Sequence, residues 1–488
     1  MIKISDMLEG IETIEISGSL DIEITGITHD SRSVKIGNCF FAIKGYKEDG
    51  NKYVKDAIKA GAKLIVSEMG NCIGSTEVTW IRLKDIRKAF ARMSLNFFRD
   101  PLKNKYVVGV TGTNGKSTVI AIIESIFKRK MKTVKIGTLG VWCGLKGHNT
   151  SLTTPEVSEI YRFLTEECQG DFENVVMEVS SVALKLKRVE GIEFSQAIFT
   201  NFSGDHLDFH NDMDNYFDSK LELFRSLSPD KWAIINIDDE RGKSIIEAIN
   251  SKSITFGFSD EADVKPVTYK LFANGIEAII STPAGDLKIE SQLVGRLNLQ
   301  NILAAVASAI VRNISFDEIS SALKSFKAVK GRLDTIYNNN FSVIIDYAHT
   351  DNALENLLQS IKELNFKRII LVFGAGGSRD ITKRPRMGAV AACYADEIIV
   401  TSDNPRDEDP ELIVEQIVAG FPIDFDSYQI ELDRKKGIAL GIKKAGKGDI
   451  VIVAGKGHEN YQVTGKNVIP FDDYEVVRNY IGGNSAGI

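Results

Sequence analysis

The chain has 488 residues, which at roughly 100–200 residues per domain gives two to four domains and excludes a single small module. With 43% hydrophobic and 26% charged residues it is neither disordered, collagenous nor a coiled coil. Its formal charge of -6 has the wrong sign for a nucleic-acid backbone, so nucleic acid is not an expected partner. The start, Met1-Ile2-Lys3-Ile4-Ser5-Asp6, lacks the apolar core of a signal peptide. The apolar stretch 293–310 is interrupted by Arg296, Asn298, Gln300 and Asn301, so no membrane span is expected and the chain reads as cytoplasmic. Cys39, Cys72, Cys143, Cys168 and Cys393 form no C-x-x-C pair and are expected to be reduced and buried.

Residues 1–103 read as a small N-terminal α/β domain. A helical pattern over 53–62 precedes a strand at 63–67, and a helix over 85–98 leads to Pro101, the first boundary. Residues 104–333 alternate apolar strands (106–110, 134–136, 174–177, 196–199, 232–235) with helices, the pattern of a mostly parallel, doubly covered sheet. The series restarts near Asp334 with strands at 341–345, 368–373, 397–400 and 449–453, giving a Rossmann-like C-terminal domain over 334–488. The glycine-rich end, 482–487, is expected to be disordered. The expected fold is thus α/β in three domains, with a P-loop mononucleotide-binding parallel sheet at the centre.

The strand ending at Val110 runs into Thr111-Gly112-Thr113-Asn114-Gly115-Lys116-Ser117-Thr118 and then an apolar helix. Such a turn offers backbone N–H groups and a helix N-terminus to a polyphosphate, with Lys116 reaching the terminal phosphates and Ser117 able to ligate Mg²⁺. The strict pattern G-x-x-x-x-G-K-[ST] would need glycine at Val110 and fails by one position, so the nucleotide reading rests on the strand, loop and helix together. No Asn-Lys-x-Asp string for guanine occurs, which leaves an ATP-dependent ligase, a small-molecule kinase or a nucleotide-binding switch.

Glu178 ends the strand 174–177 at a carboxyl edge, where α/β sites lie. A hard oxygen ligand there suits Mg²⁺, and a solvated edge charge is the ordinary alternative. The loop 201–210 is dense in polar groups, among them Asp205, His206, Asp208 and His210. Lys220, inside the helical pattern 216–224, reads by spacing as an exposed helix lysine. Asn298 and Asn301, before the apolar helix 302–310, read as helix-cap residues.

The segment Gly112 to Thr118 resembles the phosphate loop of the Mur ligases and folylpolyglutamate synthetases, which form amide bonds by ADP-forming cleavage of ATP and share the shifted first glycine. Further matches along nearly the whole chain are similar to the Mur ligases. For ATP the resemblance implies Asn301 at the adenine, Arg332 as a γ-phosphate clamp, and Asp346 and His349 closing over the nucleotide. It implies Mg²⁺ held by Ser117, Glu178, His206 and a Lys220 carbamylated by CO₂, with Lys116, Lys220, His206 and Arg332 as the catalytic set. Ser31 and the segment 44–50, together with Thr153, Thr154, Ser180 and Arg188, match positions for a UDP-muramoyl-peptide. Arg379, Asp403, Asn404, Arg406, Gly455 and Glu459 match positions for the incoming amino acid.

Asp403-Asn404-Pro405-Arg406 is similar to a meso-diaminopimelate signature. A distal carboxylate calls for a planar cation and a distal ammonium for an anion, roles open to Arg379, Arg406 and Glu459. The implied reaction adds meso-diaminopimelate to the D-glutamate of UDP-N-acetylmuramoyl-L-alanyl-D-glutamate through an acyl phosphate, in peptidoglycan synthesis. Addition of L-lysine and a pseudomurein-type ligase are the alternatives. The partners implied are small molecules, acting on a monomer. Val182, Leu186 and Ser378 depart from the residues common in the family.

Overall fold

Continuous apolar runs become the inner strands of the central sheet, in a computed structural model that describes residues 1–45, 48–70, 77–205 and 207–484. In spatial order the eight strands are Lys146–His148, Gly140–Cys143, Thr133–Gly137, Asn174–Glu178, Tyr106–Thr111, Gln196–Phe199, Trp232–Asn236 and Lys252–Phe256. From Thr133–Gly137 onward every pairing is parallel. The two strands at the other edge are antiparallel. Both faces are covered. Val108 and Val110 pack on helices Lys116–Phe127 and Arg296–Val311, while Val107 points to the opposite core with Phe217 and Leu221 of helix Met213–Arg225. Tyr106–Thr111 lies between strands that follow it in sequence on either side, so its carboxyl end opens at a topological switch point.

The N-terminal sheet has five strands in the order Glu15–Ser17, Thr79–Arg82, Leu64–Ser67, Asn38–Phe41 and Gly26–Thr28. Its helix Ile86–Phe98 starts where Asp85 accepts the Lys88 N–H. The C-terminal sheet has six, in the order Asp334–Asn338, Ser342–Asp346, Ile450–Ala454, Ile369–Phe373, Glu397–Val400 and Tyr428–Ile430. It is parallel except at its first strand.

Several features depart from the sequence reading. An antiparallel three-stranded sheet, Lys265–Phe272, Gly275–Thr282 and Gly285–Ser291, interrupts the alternation of strand and helix. Its inward Ile276, Ala278 and Ile280 join the core under helix Phe316–Ser325. Helix Arg296–Val311 begins at the N-cap Gly295, so Asn298 and Asn301 lie inside the helix and do not cap it. Helix Asp473–Asn484 runs through Gly482 and Gly483, where disorder is expected from composition; residues 485–488 lie outside the described residues. Cys39 and Cys168 are buried, but Cys143 is half-buried and Cys393 exposed, while Cys72 lies outside the described residues. Among the described residues no helix is long and apolar enough to cross a membrane.

Candidate functional site

Val110 is fully buried in its strand, so the phosphate turn starts at Gly112. There φ is +146°, and a Cβ would lie 1.9 Å from Thr200 Oγ1, which leaves room only for glycine. The loop after the neighbouring strand holds the turn open. Asn201 accepts the Thr113 N–H at its carbonyl (2.9 Å) and the Asn114 N–H at Oδ1 (2.8 Å). Lys116 Nζ donates to the carbonyls of Gly112 (2.9 Å) and Thr113 (2.8 Å).

Glu178 is 1% exposed, which removes the solvated-edge alternative. Its carboxylate accepts Ser117 Oγ at 2.9 Å, the Thr138 N–H at 2.8 Å and Thr138 Oγ1 at 3.3 Å. Lys220 is also 1% exposed, contrary to its reading as a surface lysine. Its Nζ stands 4.5 Å from the Tyr216 ring centroid and donates to Gly112 O at 2.9 Å, the carbonyl that Lys116 also uses. Helical spacing could not show that this face of Met213–Arg225 packs on the phosphate turn. Burial, reinforced by the charge of Lys116, pushes the Lys220 ammonium well below the usual lysine range, with Asp205 opposing. Burial likewise lowers Lys116, opposed by Glu178 and assisted by Arg332.

His206 lies outside the described residues. His210, at the end of the short helix Leu207–His210, is buried with Nε2 3.0 Å from Ser181 Oγ. Among the described residues no group of three His, Cys, Asp or Glu side chains is placed to hold a metal ion. Ser117 and Glu178 alone offer a hydroxyl and one carboxylate. That donor set fits Mg²⁺, which takes one or two carboxylates and completes its shell with phosphate oxygens and water.

Two cavities meet over this loop. One, of about 300 Å³, is lined by Asn298, Asn301, Asp346 and Leu357. The other, of about 170 Å³, is lined by Lys116, Glu178, Thr153, Tyr347 and His349. Asn114, Gly115, Thr118 and Arg332 border both. The Arg332 guanidinium stacks 4.7 Å from the Tyr347 ring, which lies against His349 (4.6 Å) and His458 (4.9 Å). Asp346 accepts the Leu333 N–H at 2.6 Å and the Ala348 N–H at 2.8 Å; burial raises its pKa against the pull of Arg332. Burial also lowers His349 and pushes Tyr347 up to about 12. Lys383 Nζ donates to His349 O at 2.8 Å.

His458 is held down to about 4 from 6.5 by burial and by Arg332, and its buried Nδ1 has no hydrogen-bond partner among the described residues. Between these values the unfolded chain binds the proton and the fold does not, so stability falls as pH drops through the window and levels off below it. The His458→Gln variant is expected to lose less of its unfolding temperature between pH 6.5 and 4 than the parent; equal losses by scanning calorimetry would contradict this.

Thr153, Thr154, Ser180 and Arg188 form one patch beside Glu178. Thr154 Oγ1 donates to Glu178 O (2.9 Å) and accepts the Ser180 N–H (3.1 Å), Thr153 Oγ1 lies 3.2 Å from Thr138 Oγ1, and Arg188 Nε pairs with Glu156 (2.8 Å) and reaches Thr154 O through its Nη1 (3.4 Å). Ser31 lies apart, on the turn Ser31–Ser33 of the N-terminal module. Among the described residues no hydrogen bond joins it to the patch, and Tyr46 and Lys47 of the segment 44–50 lie outside them. The Lys187–Asp85 ion pair and the bond from Arg87 Nη1 to Leu186 O (3.2 Å) join the two modules next to the patch.

In the C-terminal module Asp403 and Asn404 are buried. Asn404 Nδ2 donates to Glu459 Oε2 at 2.9 Å, and the fully buried Lys456 donates to Asn404 Oδ1 (3.1 Å) and Glu459 Oε2 (3.0 Å). Gly455 is buried next to Lys456 at the end of strand Ile450–Ala454. Arg406 has φ +52° and donates through Nη1 to Gly377 O at 2.8 Å, while Arg379 is exposed on the adjoining turn. Thr138, Asn201, Tyr347, Lys383 and Lys456 were not singled out by motif. Asn201 opens the polar loop 201–210, two residues beyond the strand Gln196–Phe199.

A phosphate loop at the switch point of a mostly parallel sheet, facing a second α/β layer across cavities that Arg332 borders, is the arrangement of a nucleotide-cleaving enzyme. The family descriptions that match are the Mur ligase family catalytic domain over residues 23–98, the Mur ligase middle domain over 110–309 and the Mur ligase glutamate ligase domain over 331–457. The UDP-N-acetylmuramoyl-L-alanyl-D-glutamate--2,6-diaminopimelate ligase of Syntrophomonas wolfei is 41% identical, covering 99% of each chain. That of Clostridioides difficile is 40% identical over 97% of this chain and 98% of its own. A solved structure of a ligase with the same name aligns with a TM-score of 0.71 at 29% identity, covering 99% of both chains. The chain belongs to the Mur ligase family and is an ATP-dependent, peptide-forming ligase.

Proposed function

We propose that the protein joins meso-diaminopimelate to the D-glutamate of UDP-N-acetylmuramoyl-L-alanyl-D-glutamate with formation of ADP and phosphate, in peptidoglycan synthesis. The observation that carries this reading is the smaller cavity. Its wall combines the phosphate loop, Thr153 of the peptide patch, Arg332 of the linker and His349 of the C-terminal layer, so a terminal phosphate and an acyl carboxylate would meet there. The D-glutamyl side-chain carboxylate attacks the γ-phosphate, ADP leaves, the amine of the incoming amino acid attacks the acyl phosphate, and phosphate departs. Lys116 and Arg332 neutralise charge spreading over the phosphoryl oxygens. Asn301 and Asp346 border the adenosine end, and closure of the C-terminal layer keeps water from the acyl phosphate. No protein nucleophile takes part.

Ser117 and Glu178 would hold Mg²⁺ together with His206, and the ion supplies further charge neutralisation at the phosphates when bound. Lys220 is the carbamate site of this reading. Its burial and lowered pKa favour the neutral amine, whose nitrogen attacks CO₂ and releases a proton, giving an anionic oxygen ligand in place of a cation. Arg406 with Arg379 would read the distal carboxylate of the amino acid, and Glu459, Asp403, Asn404 and the Gly455 backbone its ammonium. Ser31 would hold the uridine part and Thr153, Thr154, Ser180 and Arg188 the muramoyl-peptide. The modules divide near Pro101 and Asp334, each bringing one reactant, and a monomer in the cytoplasm suffices because every site lies on one chain. Phosphate release is expected only when the muramoyl-dipeptide and the amino acid are both present; release with neither would overturn the reading.

A further inference from the structure

The linker out of helix Phe316–Ser325 enters the C-terminal sheet at strand Asp334–Asn338. Just before that strand it is gripped by the start of helix Asp473–Asn484. The Gly331 N–H donates to Tyr474 Oη at 2.5 Å, and the same hydroxyl donates to Asp334 Oδ2 at 2.5 Å. Lys330 pairs with Asp472 at 2.8 Å, with its ammonium 4.8 Å from the Tyr474 ring centroid. On the other side of Arg332 the Leu333 N–H is taken by Asp346. Gly331 has φ +73° and a Cβ there would lie 2.3 Å from the Gly457 carbonyl carbon, while Leu333 is itself left-handed at +46°. Arg332 therefore sits at the apex of a kink whose flanking amides are both held by C-terminal residues, and its guanidinium lies on Tyr347 of the same layer.

We infer that Tyr474 is a positioning residue that rivets the linker to the C-terminal layer, so that Arg332 moves with that layer and reaches the γ-phosphate when it closes. Arg332 would then be an arginine finger supplied in cis. The inference rests on the reading of Arg332 as the phosphate clamp. Both partners of the hydroxyl matter. The Gly331 amide is buried and also faces the Asp334 carboxylate, whose pKa burial raises, so loss of the oxygen removes the bridge that ties both to the helix and frees the kink.

Tyr474→Phe keeps the ring and the Lys330–Asp472 pair. In the full chain it is expected to lower kcat about tenfold, with KM for both amino acid and muramoyl-dipeptide unchanged. In an Arg332→Ala background the same substitution is expected to have no further effect. Asp334→Asn, which still accepts from the hydroxyl, is expected to keep full turnover, while Asp334→Ala behaves like Tyr474→Phe. An equal loss in both backgrounds, or no loss from Tyr474→Phe, would overturn the positioning role. If Arg332→Ala alone leaves kcat unchanged, the clamp reading falls and the inference with it. If Tyr474→Phe does not fold, the two Asp334 variants decide the matter by the same comparison.

Discussion

Lys116→Ala is expected to reduce kcat/KM by roughly a thousandfold, about 4 kcal/mol of transition-state stabilisation. The side chain is half-buried at the phosphate turn with its ammonium bonded to two loop carbonyls, Gly112 O and Thr113 O. Burial costs the charged form free energy while the site is without an anion. A triphosphate removes that penalty, and the attraction grows as negative charge builds on the transferring oxygens in a site screened from water. Lys116→Arg is expected to fail nearly as badly, because a planar fork cannot reproduce a point charge held by these two carbonyls. Steady-state turnover, with nucleotide binding measured separately, checks the claim. A variant within tenfold of the parent would contradict it.

Arg406→Ala is expected to raise KM for meso-diaminopimelate about a hundredfold, close to 3 kcal/mol at about 1.4 kcal/mol per tenfold. KM for ATP should not move. The guanidinium is fixed before any amino acid arrives. Its backbone is left-handed, its N–H donates to Val463 O at 3.0 Å and its Nη1 to Gly377 O at 2.8 Å. Preorganisation of this kind lets a bidentate pair form without a large loss of side-chain entropy. The effect should be confined to substrates with a distal carboxylate, so any residual turnover with L-lysine should be untouched. Equal losses for both amino acids would contradict the role.

The framework of the fold was legible because its strands are continuous apolar runs. Tyr106–Thr111, Gln196–Phe199 and Ile369–Phe373 lie within a residue or so of where the pattern put them. The sheet Lys265–Ser291 was not, since its strands expose one face and alternate, and Ile279 points outward while Glu277 carries a polar register that resembles a loop. At the site, residues on contiguous strings such as the phosphate loop were readable, as was Glu178, from its place at a strand end. Lys220 was misread on spacing alone because its burial comes from a contact with Gly112, far away in sequence. Thr138 and Lys456 escaped for a similar reason. One supports Glu178 and the other holds Asn404 and Glu459 together, and such roles exist only once the fold has assembled both partners.

The amino acid consumed tests the central claim most directly. Purified protein with ATP, Mg²⁺ and UDP-N-acetylmuramoyl-L-alanyl-D-glutamate should be offered meso-diaminopimelate and L-lysine in separate reactions, with phosphate release and product mass followed together. Stoichiometric phosphate and a tripeptide product are expected with meso-diaminopimelate, and at least a hundredfold lower kcat/KM with lysine, because the preorganised Arg406 guanidinium is then left without its carboxylate. Equal use of the two amino acids, or phosphate release without a tripeptide product, would contradict it.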